Sequence, residues 1–139
     1  MFLVPTYLAE SDIHGIGVYT PHPIAEGTLL WEFNPATDWK IKPEELEQFP
    51  EPYQSRFRMY CYLSPEGIYV FCGDNAKFMN HSLTPNCDDP EGRYTIANRD
   101  IEAGEELTSN YLTFDAESAA KGISLYDEAE MEAASNSAS

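Results

Sequence analysis

Proline and glycine interrupt this sequence so often that it has little room for long helices. Ten prolines and eight glycines are spread over 139 residues, and the apolar stretches between them are short and rich in Val, Ile, Tyr, Phe and Thr. Stretches of this kind favour short strands. The predicted strands are Gly17–Thr20, Thr28–Phe33, Ile68–Phe71, Tyr94–Ala97 and Glu106–Ser109.

Two turn motifs and two short helices complete the predicted elements. Pro65–Gly67 and Pro90–Gly92 each precede a predicted strand, as expected of hairpin turns. Pro43–Phe49 begins with proline and continues with two glutamates, which suits the first turn of a helix. A second helix is predicted over Gln54–Met59. We therefore expect a mainly β fold of several small sheets with few short helices.

One sequence pattern occurs twice. Ile24–Leu30 and Ile101–Leu107 both read Ile-x-x-Gly-x-x-Leu, which predicts a tight turn leading into a strand. Two copies are too few for a repeat architecture.

The length and the local composition set the expected domain organisation. A chain of 139 residues is enough for one core of ordinary size. Beyond Asp115 the composition shifts to Ala, Ser and acidic residues. We expect one domain over residues 1–114 and an acidic tail over 115–139. The tail forms either a short helix over Leu125–Ala134 or no regular structure.

The charge restricts the class of partner. Twenty-four acidic and eight basic residues give a net charge of −16, which argues against a nucleic acid or an anionic membrane surface. A basic protein segment fits better, and the alternative is a solvated acidic surface with no partner preference.

The cysteines and the N-terminus indicate a reducing compartment. Cys61, Cys72 and Cys87 are odd in number and lack zinc-ligand spacing, so neither a disulfide framework nor an intrinsic metal site is expected. The first residues do not resemble a secretory signal. We expect an intracellular protein, cytoplasmic by default and nuclear if the source is eukaryotic.

Three segments concentrate polar and glycine residues. They are His14–Gly17, Phe78–Cys87, which reads FMNHSLTPNC, and Gly104–Tyr111, which reads GEELTSNY. In this order and spacing they resemble the SET-domain family of AdoMet-dependent protein lysine methyltransferases, whose hallmarks are an early G-x-G, an N-H-S-x-x-P-N-C segment and a late G-E-E-L-T-x-x-Y. The resemblance extends from Thr6 to Phe114. It implies a β-clip-like fold with a threaded C-terminal segment, here without cysteine-rich zinc modules.

The resemblance assigns a cofactor site and a catalytic residue. It implies that Asn80 holds the methionine moiety of AdoMet, and that His81 contributes its backbone to the adenine and its ring to local order. Tyr111 corresponds to the late tyrosine beside the transferred methyl. Gly15, Ile16 and Gly17 complete the cofactor site, because glycines can adopt positive φ and let the backbone approach a ligand. An ordinary glycine turn is the alternative for that segment.

Two departures from the family pattern concern the substrate channel. Ser109 stands where many relatives have Phe or Tyr, which suggests room for di- or trimethylation or a reshaped pocket. Asp88 and Asp89 stand where some relatives have a channel aromatic, so the walls must come from elsewhere. The candidate wall residues are Tyr60, Tyr62, Phe114 and Tyr126.

These observations predict a protein-lysine N-methyltransferase. The resemblance implies transfer of a methyl group from AdoMet to a lysine of a basic protein, such as a Lys/Arg-rich histone-like or ribosomal tail. One alternative is a non-catalytic SET-like module that binds basic tails. Another keeps AdoMet chemistry with an acceptor other than lysine.

Overall fold

A computed structural model describes residues 1–118. Over this range the chain forms ten short strands, two α-helices and three 3₁₀ turns. The strands are β1 Tyr7–Glu10, β2 Ile16–Tyr19, β3 Leu29–Glu32, β4 Trp39–Ile41, β5 Cys61–Leu63, β6 Tyr69–Phe71, β7 Asn80–His81, β8 Cys87–Asp88, β9 Tyr94–Ala97 and β10 Glu106–Ser109. The helices are α1 Pro43–Leu46 and α2 Tyr53–Tyr60, and the 3₁₀ turns are Asn75–Phe78, Pro90–Gly92 and Tyr111–Thr113.

The strands form three small sheets. Their orders are β1-β2-β10-β7, β3-β9-β8 and β4-β6-β5. Within these sheets every pair is antiparallel except β7 and β10, which run parallel. The prediction of a mainly β fold with several small sheets and few short helices is confirmed.

All five predicted strands are present. Tyr94–Ala97 and Glu106–Ser109 have the predicted bounds, and the other three differ by one residue at one or both ends. Both turn motifs connect antiparallel strands, with Gly67 at φ +77° and Gly92 at φ +68°. The first helix ends three residues earlier than predicted, at Leu46.

The two copies of the Ile-x-x-Gly-x-x-Leu pattern pair with each other. Ile24 and Ile101 form an antiparallel bridge in which each N–H donates to the other's carbonyl at 2.8 Å. Gly27 N donates to the Ala97 carbonyl at 2.8 Å, and Gly104 N donates to the Thr20 carbonyl at 2.7 Å. Each loop is therefore bonded to the strand end that precedes the other loop.

Two hydrophobic clusters support this framework. The larger cluster lies between the first two sheets, and the smaller one lies between the third sheet and the helices. The buried members of the larger cluster are Val18, Ile24, Leu30, Met79, Cys87, Ala97, Ile101 and Leu107; those of the smaller are Ile41, Leu46, Cys61 and Tyr69.

The packed unit extends beyond the predicted boundary at residue 114. Asp115 and Ser118 are buried, and Ala116 N donates to the Leu63 carbonyl at 3.0 Å. The Tyr69 hydroxyl donates to the Glu117 carboxylate. The helix predicted over 125–134 lies outside the described residues. No helix within residues 1–118 is long and apolar enough to cross a membrane.

Candidate active site

The parallel pairing of β7 and β10 brings two of the three polar segments together. Asn80 lies opposite Thr108, and His81 lies opposite Ser109. The pairing continues one residue further, where Ser82 N donates to the Ser109 carbonyl at 3.0 Å. The Asn-His segment is therefore beside the strand that leads to the late tyrosine.

Asn86 attaches the loop after β7 to β10. Its Nδ2 donates to the Glu106 carbonyl at 2.8 Å, and its Oδ1 accepts from Thr108 N at 2.9 Å. Cys87 is buried next to it, where burial raises the pKa of the thiol to about 12. Asn86 is therefore a backbone-bonded amide, and Cys87 is a small buried apolar group.

The third segment, His14–Gly17, is held against β7 by the Asn80 side chain. The Asn80 Nδ2 atom lies 2.9 Å from the His14 carbonyl oxygen and 3.2 Å from the Ile16 carbonyl oxygen. Gly15 has a φ of +49°, and a Cβ built there meets no atom within 4 Å. The segment therefore has an open face at Gly15, next to the exposed Ile16.

Gly17 differs from Gly15 in conformation and surroundings. It does not adopt positive φ, and a Cβ at this position would lie 2.5 Å from Glu106 Oε2. That carboxylate also accepts from Ser11 Oγ at 2.6 Å, from Tyr19 at 3.3 Å and from Asn80 Nδ2 at 3.0 Å. Gly17 therefore makes room for a carboxylate of the protein itself, and the close approach occurs inside the fold.

His81 and Tyr111 fix each other. The Tyr111 N–H donates to His81 Nδ1 at 3.0 Å, and the two ring centroids are 5.8 Å apart. The Tyr111 hydroxyl donates to the Met79 carbonyl oxygen. The His81 ring thus holds the first residue of the turn that carries Tyr111.

Burial determines the protonation of Tyr111. Desolvation raises the pKa of this phenol well above its ordinary value of 10.0, and the negative charge of nearby groups, Asp89 among them, adds to the effect. Tyr111 therefore keeps its proton at neutral pH and presents a hydroxyl rather than a phenolate.

A cavity of about 600 Å³, its open mouth included, lies beside Tyr111. Its lining includes the aromatic rings of Tyr60, Tyr62 and Phe114, and also the small side chain of Ser109. The Phe114 ring packs edge-on against Tyr62 at 5.2 Å and against Tyr111 at 5.3 Å between centroids. The structure thus brings together these four predicted channel residues, whereas Tyr126 lies outside the described residues.

Asp89 corrects one expectation about this channel. The sequence predicts that the walls come from residues other than Asp88 and Asp89, but Asp89 itself lines the cavity. Its Oδ1 accepts from the Thr95 hydroxyl at 2.5 Å. Burial raises the pKa of Asp89 above the usual range, against the lowering effects of the Thr95 and Ser109 hydroxyls. Asp88, by contrast, is exposed.

A protein-family model described as the SET domain matches residues 15–112. The chain belongs to the SET domain family. Histone-lysine N-methyltransferase trr of Drosophila melanogaster is 34% identical in an alignment of 122 residues that covers 80% of this chain and 5% of that protein. An H3 lysine-4 specific histone-lysine N-methyltransferase of Yarrowia lipolytica is 32% identical in an alignment of 120 residues that covers 77% of this chain and 10% of that protein. This chain therefore spans a small part of these relatives.

A solved structure has the same fold. The crystal structure of a Plasmodium falciparum protein, described as a candidate histone methyltransferase, superposes with a TM-score of 0.57 at 17% identity. The superposition covers 78% of this chain and 93% of that chain.

Two contacts of this site could not be predicted from the sequence. The Glu106 carboxylate links β10 to Ser11 and Asn80, and the Met79 carbonyl faces the Tyr111 hydroxyl. The sequence indicates that Glu106 is a solvated or hydrogen-bonded strand residue, and it is hydrogen-bonded. The identity of its partners leaves no signal in a sequence, and neither does a backbone carbonyl.

Within residues 1–118 of this SET domain, no group of three or more His, Cys, Asp or Glu side chains is arranged to hold a metal ion.

Proposed function

We propose that this SET domain transfers a methyl group from AdoMet to a lysine side chain of a basic protein. The observation that supports the proposal most is the position of Tyr111 between the aromatic cavity and the proposed cofactor site. This residue lines the aromatic cavity and is also bonded to His81 and Met79, next to the segment held by Asn80. A cofactor site and an acceptor channel that share Tyr111 allow in-line transfer.

The residues around this position fit AdoMet. The open space at Gly15 leaves room for a ligand against the backbone. The Asn80 amide nitrogen is bonded within the protein, and its side-chain oxygen is the acceptor that the ammonium of an amino-acid moiety requires. The oxygens of Tyr111 and Met79 lie together and suit a sulfonium cation. When bound, AdoMet supplies the methyl, whose bond to sulfur breaks as the acceptor nitrogen lone pair forms the new N–C bond.

The chain's own contribution is alignment and exclusion of water. The rings of Tyr60, Tyr62 and Phe114 enclose the acceptor side chain in an apolar channel. Desolvation there lowers the pKa of a lysine ammonium from its reference value of about 10.4 and increases the fraction of neutral amine. Tyr111, which keeps its proton, orients that amine through its hydroxyl oxygen.

The charge supports a basic protein as the substrate. A chain with a net charge of −16 attracts a Lys/Arg-rich segment and raises its rate of association. The two relatives named above are histone-lysine methyltransferases, which makes a histone tail the first substrate to test.

Calorimetric titration with AdoMet tests the cofactor site without a known substrate. We expect stoichiometric binding by the wild-type protein and binding at least about tenfold weaker in Asn80→Ala, because the variant loses the amide that holds the His14–Gly17 segment. Asn75→Ala is the matched control, since this half-buried amide bonds only to Thr6 among the described residues. Equal affinities of all three proteins would reject the assigned site.

Methyl transfer to a histone mixture then tests Tyr111. Tyr111→Phe should bind AdoMet normally but turn over much more slowly, because the hydroxyl next to the Met79 carbonyl is lost. Tyr94→Phe is the control, since Tyr94 lies on β9 away from the cavity lining. Undiminished turnover by Tyr111→Phe would contradict the catalytic role.

The second candidate is a non-catalytic module that binds basic tails. The strongly negative charge and the carboxylate in the cavity favour binding of a cationic side chain whether or not a methyl group is transferred. Binding of a basic peptide by a protein that does not bind AdoMet would support this candidate over the enzyme.

A further inference from the structure

Two buried polar atoms in the described part of the chain have no hydrogen-bond partner, and both belong to residues that line the aromatic cavity. They are Trp31 Nε1 and Asp89 Oδ2. Buried polar atoms nearly always have a hydrogen-bond partner. Two such atoms without one around the same cavity therefore indicate that the cavity receives a polar ligand. The indole N–H is a donor and cannot serve a cation, whereas the carboxylate oxygen is an acceptor.

The position of Asp89 is fixed by its neighbours. It lies between β8 and the 3₁₀ turn Pro90–Gly92, and its carbonyl accepts from Gly92 N at 3.0 Å. Its Oδ1 accepts from the Thr95 hydroxyl on β9 at 2.5 Å. One carboxylate oxygen is therefore anchored. The Ser109 hydroxyl is also near the carboxylate, but Oδ2 has no hydrogen bond within residues 1–118 and is left for a ligand.

No group of the cavity lining within residues 1–118 neutralises this carboxylate. Lys77 is the one cationic side chain of the lining, and its Nζ lies over the rings of Phe71 and Phe78, 5.5 Å from each centroid. The other lining carboxylate, Asp115, accepts from the backbone N–H groups of Leu63 and Glu117. A buried carboxylate without a cationic partner is unfavourable, so a cationic ligand would relieve that cost.

We propose that Asp89 is the residue that recognises the acceptor ammonium group, with Oδ2 accepting its hydrogen bond inside the aromatic cavity. The inference rests on the proposed function and names the residue that selects the charge of its substrate. The faces of the surrounding aromatic rings add cation–π attraction. A cationic side chain is thereby favoured over a neutral one of the same size.

The bound ammonium must lose one proton to solvent before transfer, because only the neutral amine has the lone pair that attacks the methyl. The carboxylate then favours the transfer itself. Positive charge develops on the acceptor nitrogen as the new N–C bond forms, and a fixed negative group near that nitrogen stabilises it. The small side chain of Ser109, only 2% exposed, lies beside Asp89 in the lining and leaves room for methyl groups on the same nitrogen.

Titration with butylammonium, a mimic of the lysine side chain, tests the inference by amide NMR. We expect saturable shifts at Thr95 and Ser109 in the wild-type protein. In Asp89→Asn the affinity for butylammonium should be at least about tenfold weaker. Asp88→Asn makes the same chemical change at the exposed neighbour and should leave the affinity unchanged. Butanol, the neutral analogue, should bind the wild-type protein and Asp89→Asn equally.

The outcomes separate this inference from the proposed function. Two results would overturn the role of Asp89. One is that the wild-type protein binds butylammonium and butanol with equal affinity, and the other is that Asp89→Asn and the wild-type protein bind butylammonium equally. Binding of butylammonium through Asp89 by a protein that transfers no methyl group would reject the proposed enzyme and keep the ammonium site. The comparison of butylammonium with butanol needs no variant, so it stands even if Asp89→Asn does not fold.

Discussion

At Gly17 the missing side chain matters because the Glu106 carboxylate occupies the place of a Cβ. Gly17→Ala must displace this carboxylate and weaken its hydrogen bonds to Ser11 and Asn80. We expect a loss of about 1–2 kcal/mol in the free energy of unfolding, measured by urea denaturation.

Glu106→Ala provides the matched background for that measurement. Without the carboxylate, the alanine methyl has space, so Gly17→Ala should cost clearly less in the Glu106→Ala protein than in the wild-type protein. Gly15→Ala is the contrasting change, because its cost comes from φ +49° and should be the same in both backgrounds. A cost of Gly17→Ala that does not depend on Glu106 would contradict the steric explanation.

The residues that the sequence did and did not predict differ in where their partners lie. Structural roles can be assigned to Asn86 and Cys87, because a loop amide bonds nearby backbone and a thiol without zinc-ligand spacing packs as a small apolar group. The role of Gly17 depends on a carboxylate 89 positions later, and that of Asp89 depends on a cavity built from four other regions of the chain. Spacing in one sequence contains no record of such contacts.

At the scale of elements, the paired loops after β2 and β9 make a symmetric prediction. Gly27 and Gly104 have φ values of +84° and +87°, and a Cβ at either position meets no atom within 4 Å. Replacing either glycine by alanine should therefore cost about 1–2 kcal/mol through backbone strain alone. Urea denaturation of the two variants should give similar free energies of unfolding.

Gly73→Ala is the comparison that separates strain from collision. A Cβ at Gly73 would lie 1.8 Å from the Thr37 carbonyl oxygen, a backbone atom of the segment before β4. This variant should be more destabilised than either loop variant. A large cost at Gly27 with none at Gly104 would refute the equivalence of the two loops.

Five strands were not predicted, β1, β4, β5, β7 and β8, and the shortest of them have the least sequence signal. β7 and β8 have two residues each, too few to show alternation, and they exist because β10 and β9 lie beside them. β4 has three residues and contains Lys40, an unfavourable residue for a strand, yet it pairs with β6 along its whole length. β9 and β10 were predicted with correct bounds because glycine-containing turns precede four-residue apolar or β-branched stretches.

At the scale of the whole molecule, buried thiols and phenols link stability to alkaline pH. Burial raises the pKa of Cys87 to about 12 and that of Tyr69 to about 12, from ordinary values of 9.0 and 10.0. It also raises the pKa values of Cys72, Tyr62 and Tyr111. The folded protein therefore keeps protons that the unfolded chain releases above pH 9.

Stability should accordingly be complete below about pH 9 and fall as the pH rises towards 12, because the unfolded chain then binds fewer protons than the folded one. Each such proton contributes about 1.4 kcal/mol per pH unit to the slope. Urea denaturation between pH 8 and 11 measures this slope, and Cys87→Ala should reduce the slope above pH 9 although the variant lowers the stability at every pH.

Repulsion within a chain of net charge −16 also grows with pH, but added salt screens the contribution of that repulsion to the slope. An unchanged slope in Cys87→Ala at high salt would mean that the thiol is not linked to unfolding.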